Sequence, residues 1–209
     1  MANEFISNTK AGNNYSKGWK LTISAFWTLL AVVLILLVIN LPTELQGQNP
    51  ALGYVLFTTL WSVFLYGPIS MSASWVFLKA ARQEKFKIGD MFAVFTRNYW
   101  NAVGAGLVVG LIIIGGLILL IVPGIIFAIR LSFVQYLIID RKMPLGEAIS
   151  TSWKMTKGRS WTIFGMALLA ILIAIAGLIV IGIGVFFSMV WISASFAVLY
   201  ASVEKAKKK

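Results

Sequence analysis

The sequence contains no cysteine and no histidine among its 209 residues. This excludes disulfides, thiolate and imidazole metal ligands, histidine general bases and cysteine nucleophiles. Charged residues make up 12% of the chain, whereas soluble domains have about 25%. There is also no Gly-rich phosphate loop and no carboxylate pair inside the long apolar runs. We therefore expect no metal, no cofactor and no enzymatic activity.

Apolar residues are what the sequence has in excess, at 59% of the composition. A water-soluble core cannot bury so much apolar surface, so lipid must cover much of it. We predict an all-α integral membrane protein that forms a single polytopic domain over residues 1–209. A polar cytoplasmic segment, 1–20, precedes the first span, and a basic tail, 204–209, follows the last.

Six apolar runs are long enough to cross a bilayer as helices. The predicted spans are 21–41, 51–79, 100–122, 125–139, 160–181 and 185–203. The run at 125–139 is short and becomes long enough only with Pro123 and Asp140 added. Turns at 42–50, at Pro123-Gly124 and at 182–184 then pair the spans as three hairpins.

The 18 basic residues outnumber the 7 acidic ones and give a net charge of +11. In the six-span layout every Lys and Arg except Arg130 lies on one side of the membrane. By the positive-inside rule that side is cytoplasmic and holds both termini. Because orientation already accounts for these cations, we do not expect nucleic-acid binding.

Two segments between the spans are amphipathic at helical spacing. In 88–99, Met91 and Phe95 share a face opposite Asp90. In 144–157, Pro144 suits the first helical position, and Lys154 and Lys157 lie opposite the apolar face. Aromatic anchors accompany them at Trp100, Trp153 and Trp161. We predict two interfacial helices on the cytoplasmic surface, in contact with anionic lipid headgroups.

Arg130 is a charge inside an apolar run, which costs at least about 2.5–3.5 kcal/mol at mid-depth. No carboxylate lies in any predicted span to pair with it. Its candidate partners are water, a lipid phosphate or the side chains of Gln135, Tyr136, Ser70 and Asn101. Two interpretations stay open: an anion or lipid-headgroup site, with Gln135 as a second candidate residue, or a structural arginine that reaches the interface.

Asp140 stands where the fourth span leaves the membrane. We expect it to pair with Lys154, Lys157 or Arg159 and to hold the second amphipathic helix in place. The role is structural, as is that of the Pro123-Gly124 turn.

The run IVPGIIFAIR at 121–130, with Asp140 and AISTSWKMTKG at 148–158, resembles a group of six-span bacterial and archaeal proteins. This is the group with the glycerophosphoryl diester phosphodiesterase membrane domain and the YciC-type inner-membrane proteins. The specific part covers 121–165. In the phosphodiesterases this region is only the membrane module, and the catalytic barrel is absent here. The resemblance implies the fold and a bacterial or archaeal cytoplasmic membrane, and no activity.

These features favour a non-enzymatic scaffold or accessory subunit that engages anionic lipids, a membrane partner or a second copy of itself. The alternative is a transporter or channel for a small or lipidic anion, with Arg130 in the pathway. A lipid-modifying enzyme would need a Ser or Thr nucleophile, and the sequence shows no activating base beside one.

Overall fold

The computed structural model describes residues 11–45, 47, 50–179 and 183–207, which form helices joined by short turns, without a strand. The α-helices of this part are α1 Ala11–Ser24, α2 Phe26–Glu44, α3 Leu52–Trp61, α4 Gly67–Ala81, α5 Val94–Arg97, α6 Tyr99–Leu119, α7 Ile121–Leu131, α8 Val134–Arg141, α9 Leu145–Thr156, α10 Ser160–Ile179 and α11 Ile183–Lys207. Residues 1–10 of the N-terminal segment, Gly182 of the third turn, and Lys208 and Lys209 of the tail lie outside the described residues.

Within these residues, six helical stretches are long and apolar enough to cross a membrane. They are Phe26–Glu44, Leu52–Ala81, Tyr99–Leu119, Ile121–Arg141, Ser160–Ile179 and Gly184–Ala206. Their outward faces carry large exposed apolar side chains, such as Leu111 on α6 and Leu172 on α10. The predicted all-α fold with six membrane-spanning helices is confirmed.

The first difference from the sequence prediction is α1, because residues 11–24 form a helix instead of an irregular polar segment. The first span accordingly begins at Phe26 and continues through Pro42 to Glu44. The asparagines of this region lower its intrinsic helix propensity, but packing overrides propensity when a face is buried. Asn14, Tyr15 and Leu21 are buried here.

The buried face of α1 lies against α10 and α11. The Tyr15 hydroxyl donates to the Met166 carbonyl at 2.8 Å, and the Trp191 indole N–H donates to the Tyr15 carbonyl at 2.9 Å. Burial raises the pKa of Tyr15 to about 12. At Gly18 a Cβ atom would lie 2.9 Å from the Cα of Ser195. Glycine is therefore required where these two helices meet.

The second span is irregular around Pro68, because proline disturbs the interior of a helix. A π-helical turn, Ser62–Tyr66, joins α3 to α4, and the Gly67 N–H donates to the Ser62 carbonyl. Proline has no N–H, so Pro68 cannot donate to the Phe64 carbonyl four residues earlier. The Tyr99 hydroxyl donates to that carbonyl instead, at 2.8 Å. The irregular turn is thus satisfied by a side chain from the start of α6.

The hairpin between α6 and α7 turns at Leu120, whose backbone is extended, so the prediction of a Pro123-Gly124 turn is wrong. Pro123 is the third residue of α7, where a backbone N–H has no helical partner and proline is tolerated, and the Gly124 N–H donates to the Leu120 carbonyl at 3.3 Å. Gly124 has a packing role, because a Cβ at Gly116 would lie 3.0 Å from its Cα. The two helix backbones meet at these glycines.

The predicted amphipathic helix at 88–99 is not a single helix. The structure has a 3-10 turn, Ile88–Phe92, followed by α5, and a break at Asn98. Polar contacts explain the irregular path: the Ser72 hydroxyl donates to the Asp90 carbonyl at 3.2 Å and accepts the Val94 N–H at 3.1 Å. Met91 and Val94 are buried, whereas Phe95 of the predicted apolar face is exposed.

Candidate functional site

Arg130 lies near the end of α7, in the middle of the fourth span. Its guanidinium carbon is 5.6 Å from the centroid of the Trp153 ring on α9. Its Nη1 atom is buried and has no hydrogen-bond partner among the described residues. The structure therefore gives the charge an aromatic neighbour but no acceptor for this nitrogen.

The polar side chains named as partners for Arg130 bond elsewhere. Ser70 donates to the Gly67 carbonyl, and the Asn101 amide donates to Asn98 Oδ1 at 2.7 Å. The Tyr136 ring stacks on Tyr200 with centroids 4.8 Å apart.

The fourth span is broken just after Arg130. Helix α7 ends at Leu131 and α8 begins at Val134. The Ser152 hydroxyl of α9 fills the gap: it donates to the Arg130 carbonyl at 2.7 Å and accepts the Phe133 N–H at 3.3 Å. One side chain thereby satisfies two backbone groups that the break leaves without helical partners.

Helix α9 forms where the sequence predicts it, with Pro144 and Lys157 as its caps instead of its first and last residues. The Leu145 N–H at its start donates to Asn101 Oδ1 at 3.0 Å. Its inward face buries Ala148, Ser152, Met155 and Thr156. Trp153 is 41% exposed, and Lys154 and Lys157 are exposed. That this helix lies on a cytoplasmic membrane surface stays a prediction.

The other two predicted anchors stand at helix starts. Trp100 in the first turn of α6 is 74% exposed, and Trp161 in the first turn of α10 is 85% exposed. Such exposure lets the indole rings reach a surrounding medium, as an interfacial anchor requires.

Gln135 lies apart from Arg130. It lines a groove of about 380 Å³ between α6 and the α7–α8 span, together with Ser132 and the small residues Gly106 and Gly110. Arg130 does not line this groove. The two candidate residues of the fourth span therefore do not form one site.

Asp140 belongs to a buried ion cluster, and the prediction that it pairs with Lys154, Lys157 or Arg159 is wrong. Both of its carboxylate oxygens accept from Arg82, each at 2.7 Å. Arg82 also bonds Glu204, which accepts from Arg141 at 2.9 Å. The side chains of Asp140 and Glu204 are only 10% and 11% exposed.

These four residues connect three spans: Arg82 follows α4, Asp140 and Arg141 end α8, and Glu204 is near the end of α11. Burial alone lowers the pKa of Arg82, but the hydrogen bonds and charges of Asp140 and Glu204 raise it above the ordinary arginine value. Arg82 is therefore a permanent cation at the centre of the cluster.

Trp75 extends this cluster toward the 88–97 segment. Its indole N–H donates to Asp140 Oδ1 at 3.3 Å. Lys79 Nζ and Arg97 Cζ lie 3.9 Å and 4.1 Å from the centroid of its ring, as in cation–π pairs. Lys79 also pairs with Asp90 at 3.0 Å.

Asp90 is the acceptor that fixes the 3-10 turn. Its Oδ2 accepts the Lys87 N–H at 3.0 Å in addition to the Lys79 ammonium. Burial raises the pKa of Asp90, but the Lys87 N–H and the two lysine charges outweigh it and lower the pKa below its usual value.

Sequence reasoning missed Trp75, Arg82 and Glu204 as parts of one cluster. One signal was available: Glu204 is an acidic residue between an apolar span and a run of lysines, where orientation calls for cations. Nothing in the local sequence joins it to Asp140.

The fold defines the class of this protein as a multi-pass, all-α, membrane-type protein. Residues 105–207, slightly less than half of the chain, match the sequence model of a family described as a protein of unknown function (DUF975). The match covers most of α6 and all of α7 to α11. No curated protein and no solved structure matches the chain.

Proposed function

We propose that this protein is a non-enzymatic membrane scaffold or accessory subunit that engages anionic lipids through α9 and the neighbouring span ends. One observation carries the proposal. Helix α9 packs its small and polar side chains against the fourth span and leaves Trp153, Lys154 and Lys157 outside. A helix with this division of side chains suits the boundary between headgroups and acyl chains.

The proposal includes an orientation, with both termini in the cytoplasm of a bacterial or archaeal cell. The distribution of cations supports it, because Lys79, Arg82, Arg141 and Lys142 follow or end spans on the same side as α9. The more specific likeness of 121–165 to the glycerophosphoryl diester phosphodiesterase membrane domain and YciC-type proteins stays part of the proposal. The proposal also holds that the protein has no enzymatic activity and needs no cofactor or metal.

The test extracts the protein with its surrounding lipids in a membrane-derived nanodisc and compares the fraction of anionic phospholipid with that of the bulk membrane. We expect enrichment around the wild type. It should fall severalfold in Lys154→Gln/Lys157→Gln, because each lysine near an anionic surface contributes about 1 kcal/mol.

The matched control is Lys20→Gln/Lys85→Gln, which removes the same charge from exposed positions that belong neither to α9 nor to the span ends beside it. Its enrichment should stay close to that of the wild type. A wild-type protein that is monomeric, carries no other protein and shows no enrichment would contradict the proposal.

A transporter or channel for a small or lipidic anion is the second candidate. The broken fourth span supports it, because discontinuous helices beside a cavity are a feature of transporter binding sites. The 380 Å³ groove reaches the break at Ser132 and carries the Gln135 amide.

Flux of chloride and of inorganic phosphate into proteoliposomes tests this second function with Arg130→Gln and Gln135→Leu. Loss of flux in Arg130→Gln would favour a pathway that includes the arginine. Wild-type flux in both variants, or none above empty liposomes, would remove the transporter from consideration.

A further inference from the structure

Arg130 has a hydrogen-bonding capacity that the protein does not fill. A guanidinium carries five N–H donors in a planar fork and no acceptor. The buried Nη1 atom donates to no described residue. The ring of Trp153 lies near the cation, but a ring face balances charge and does not replace an oxygen acceptor in the plane of the fork. Arg130 as a whole is only partly buried, so an acceptor from outside the protein can approach the fork on its exposed side.

The chemistry of the fork selects the ligand. Planar guanidinium donors match phosphate and carboxylate oxygens, and such charge-assisted bonds are about twice as strong as neutral ones. Within the described residues no carboxylate forms an ion pair with Arg130; the pairs involve Lys79, Arg82 and Arg141. An oxyanion must come from the surroundings.

The position of Arg130 favours a lipid as the source of that oxyanion. Arg130 precedes Arg141, the last residue of the fourth span, by eleven residues, roughly 16 Å along the helix axis, so lipid surrounds the span at its level. Helix α9, however, contacts the backbone of Arg130 directly through Ser152. If α9 lies at the headgroup boundary, as proposed above, the phosphate layer reaches this depth beside Trp153.

Space for an acyl chain exists within one helical turn of Arg130 along the chain. An apolar groove of about 350 Å³ separates α7 from α10; Ile129 and Ser132, on either side of Arg130 in the sequence, are among its lining residues, and Arg130 itself is not. Phe164 and Phe196 line its other side. A free phosphate ion gains nothing from an apolar groove, whereas the acyl chain of a phospholipid can pack in it.

We propose that Arg130 binds the phosphate of one phospholipid, next to Trp153 and beneath α9. The site rests on the proposed function and adds to it a residue, a chemical group and a stoichiometry of one. Because the recognised group is the phosphodiester, the site binds phosphatidylglycerol and phosphatidylethanolamine alike. It does not bind diacylglycerol, which has no phosphate. The lysines of α9 differ in this respect, since they favour net negative charge.

Native mass spectrometry of the full chain in detergent tests the site by titration with each of these three lipids. The wild type should retain one phosphatidylglycerol or one phosphatidylethanolamine under conditions that strip other lipids, and no diacylglycerol. Arg130→Gln should weaken the binding by about tenfold or more, as expected for the loss of a charged hydrogen bond. Arg130→Lys keeps the charge without the fork and should give an intermediate value.

The control for charge alone is Lys85→Gln, at an exposed position outside α9, which should leave the single tightly bound lipid in place. Retention of that lipid by Arg130→Gln at wild-type affinity would overturn the site. Its displacement by millimolar inorganic phosphate would also overturn the assignment to a lipid. Should Arg130→Gln be too unstable to purify, Arg130→Lys decides, because wild-type affinity in that variant excludes a bidentate phosphate site.

The two proposals fail in different ways. If Arg130→Gln keeps its lipid while Lys154→Gln/Lys157→Gln loses the enrichment of anionic lipid, the phosphate site is wrong and the scaffold function stands. If the wild type enriches no anionic lipid, is monomeric and carries no other protein, the scaffold function itself is contradicted.

Discussion

Single residues of this protein carry charge in the interior in two different ways. Arg82 is shared by Asp140 and Glu204, and Arg141 completes the set, so that each charge meets an opposite one. Among the described residues, Arg130 has the Trp153 ring near its guanidinium and no partner for its Nη1 atom. Burial makes the first arrangement costly to break and makes the second a site for an external partner.

Replacement of Asp140 by asparagine tests the first arrangement. Asp140→Asn removes the charge that faces Arg82, whose side chain is 19% exposed. We expect the free energy of unfolding to fall by about 1.5–3 kcal/mol, the usual worth of hydrogen bonds to a charged group, because Glu204 still pairs with Arg82 in the variant. Thermal unfolding of the purified protein in detergent measures the change.

Glu84→Gln is the matched control, because Glu84 also faces Arg82 but at 3.9 Å and with 48% of its side chain exposed. An exposed pair of this kind contributes about 0–1 kcal/mol. Equal losses in the two variants would show that the buried cluster does not stabilise the fold.

The sequence predicts Asp140 as a structural residue but names the wrong partners. The partners that it names, Lys154, Lys157 and Arg159, lie 14 to 19 positions away, whereas Arg82 lies 58 positions away. Only the packing of α4 against α8 brings the pair together, and no local pattern encodes that contact. The same holds for the candidate site. The apolar surroundings of Arg130 in the sequence mark it as a candidate, but the sequence does not show that Arg130 lies outside the groove lined by Gln135.

At the level of helices, irregular backbone is satisfied by side chains from neighbouring elements. Ser152 bridges the break after α7, Ser72 bridges the turn before α5, and Tyr99 bonds the carbonyl left by Pro68. Each contact ties an irregular segment to a helix beside it. The breaks are therefore fixed parts of the fold, with their polar groups paired.

Ser152→Ala should loosen α9 from the fourth span. The change leaves the Arg130 carbonyl and the Phe133 N–H without a partner, at a cost of about 1–3 kcal/mol for each buried group. We expect a lower unfolding temperature and faster hydrogen exchange in α9 by mass spectrometry. Ser150→Ala serves as the control, because Ser150 is exposed and bonds only its own helix. The same exchange in both variants would contradict the bridging role.

The position of helix α1 depends on a close approach at one glycine. Gly18→Val would bring side-chain atoms into Ser195 on α11, and we expect α1 to leave its place. Cleavage by trypsin after Lys17 and Lys20 should then become faster. Gly12→Val is the matched control, since nothing lies within 4 Å of a Cβ at Gly12. Equal cleavage rates in the two variants would show that the contact at Gly18 does not hold α1.

Helix positions divide into those that hydropathy predicts and those that it does not. The six spans follow from long apolar runs, because lipid contact demands them wherever they pack. The turn at Leu120 and the path of 88–97 follow from contacts with distant residues, such as Gly116 with Gly124 and Ser72 with Val94. Hydropathy does not predict helix α1, because its buried face includes polar and aromatic residues that contact distant parts of the chain.

At the level of the whole molecule, the basic end of the bundle also holds the buried ion cluster of Arg82, Asp140, Arg141 and Glu204. The ion cluster joins one span from each predicted hairpin, namely α4, α8 and α11. The exposed cations Lys85, Lys142 and Lys154 belong to the segments that follow α4 and α8, the helices that end at this cluster. The account of α9, Arg130 and the lipids depends on this end facing the cytoplasm.

The most direct measurement is labelling of single cysteines in whole cells with a membrane-impermeant maleimide, which has no background because the chain contains no cysteine. Cysteine placed at Gly47, in the loop after α2, should react from outside. Cysteine at Lys85 or Lys154 should react only after the cells are permeabilised. Labelling of either lysine position in intact cells, or protection of position 47, would contradict the predicted orientation and the lipid sites that depend on it.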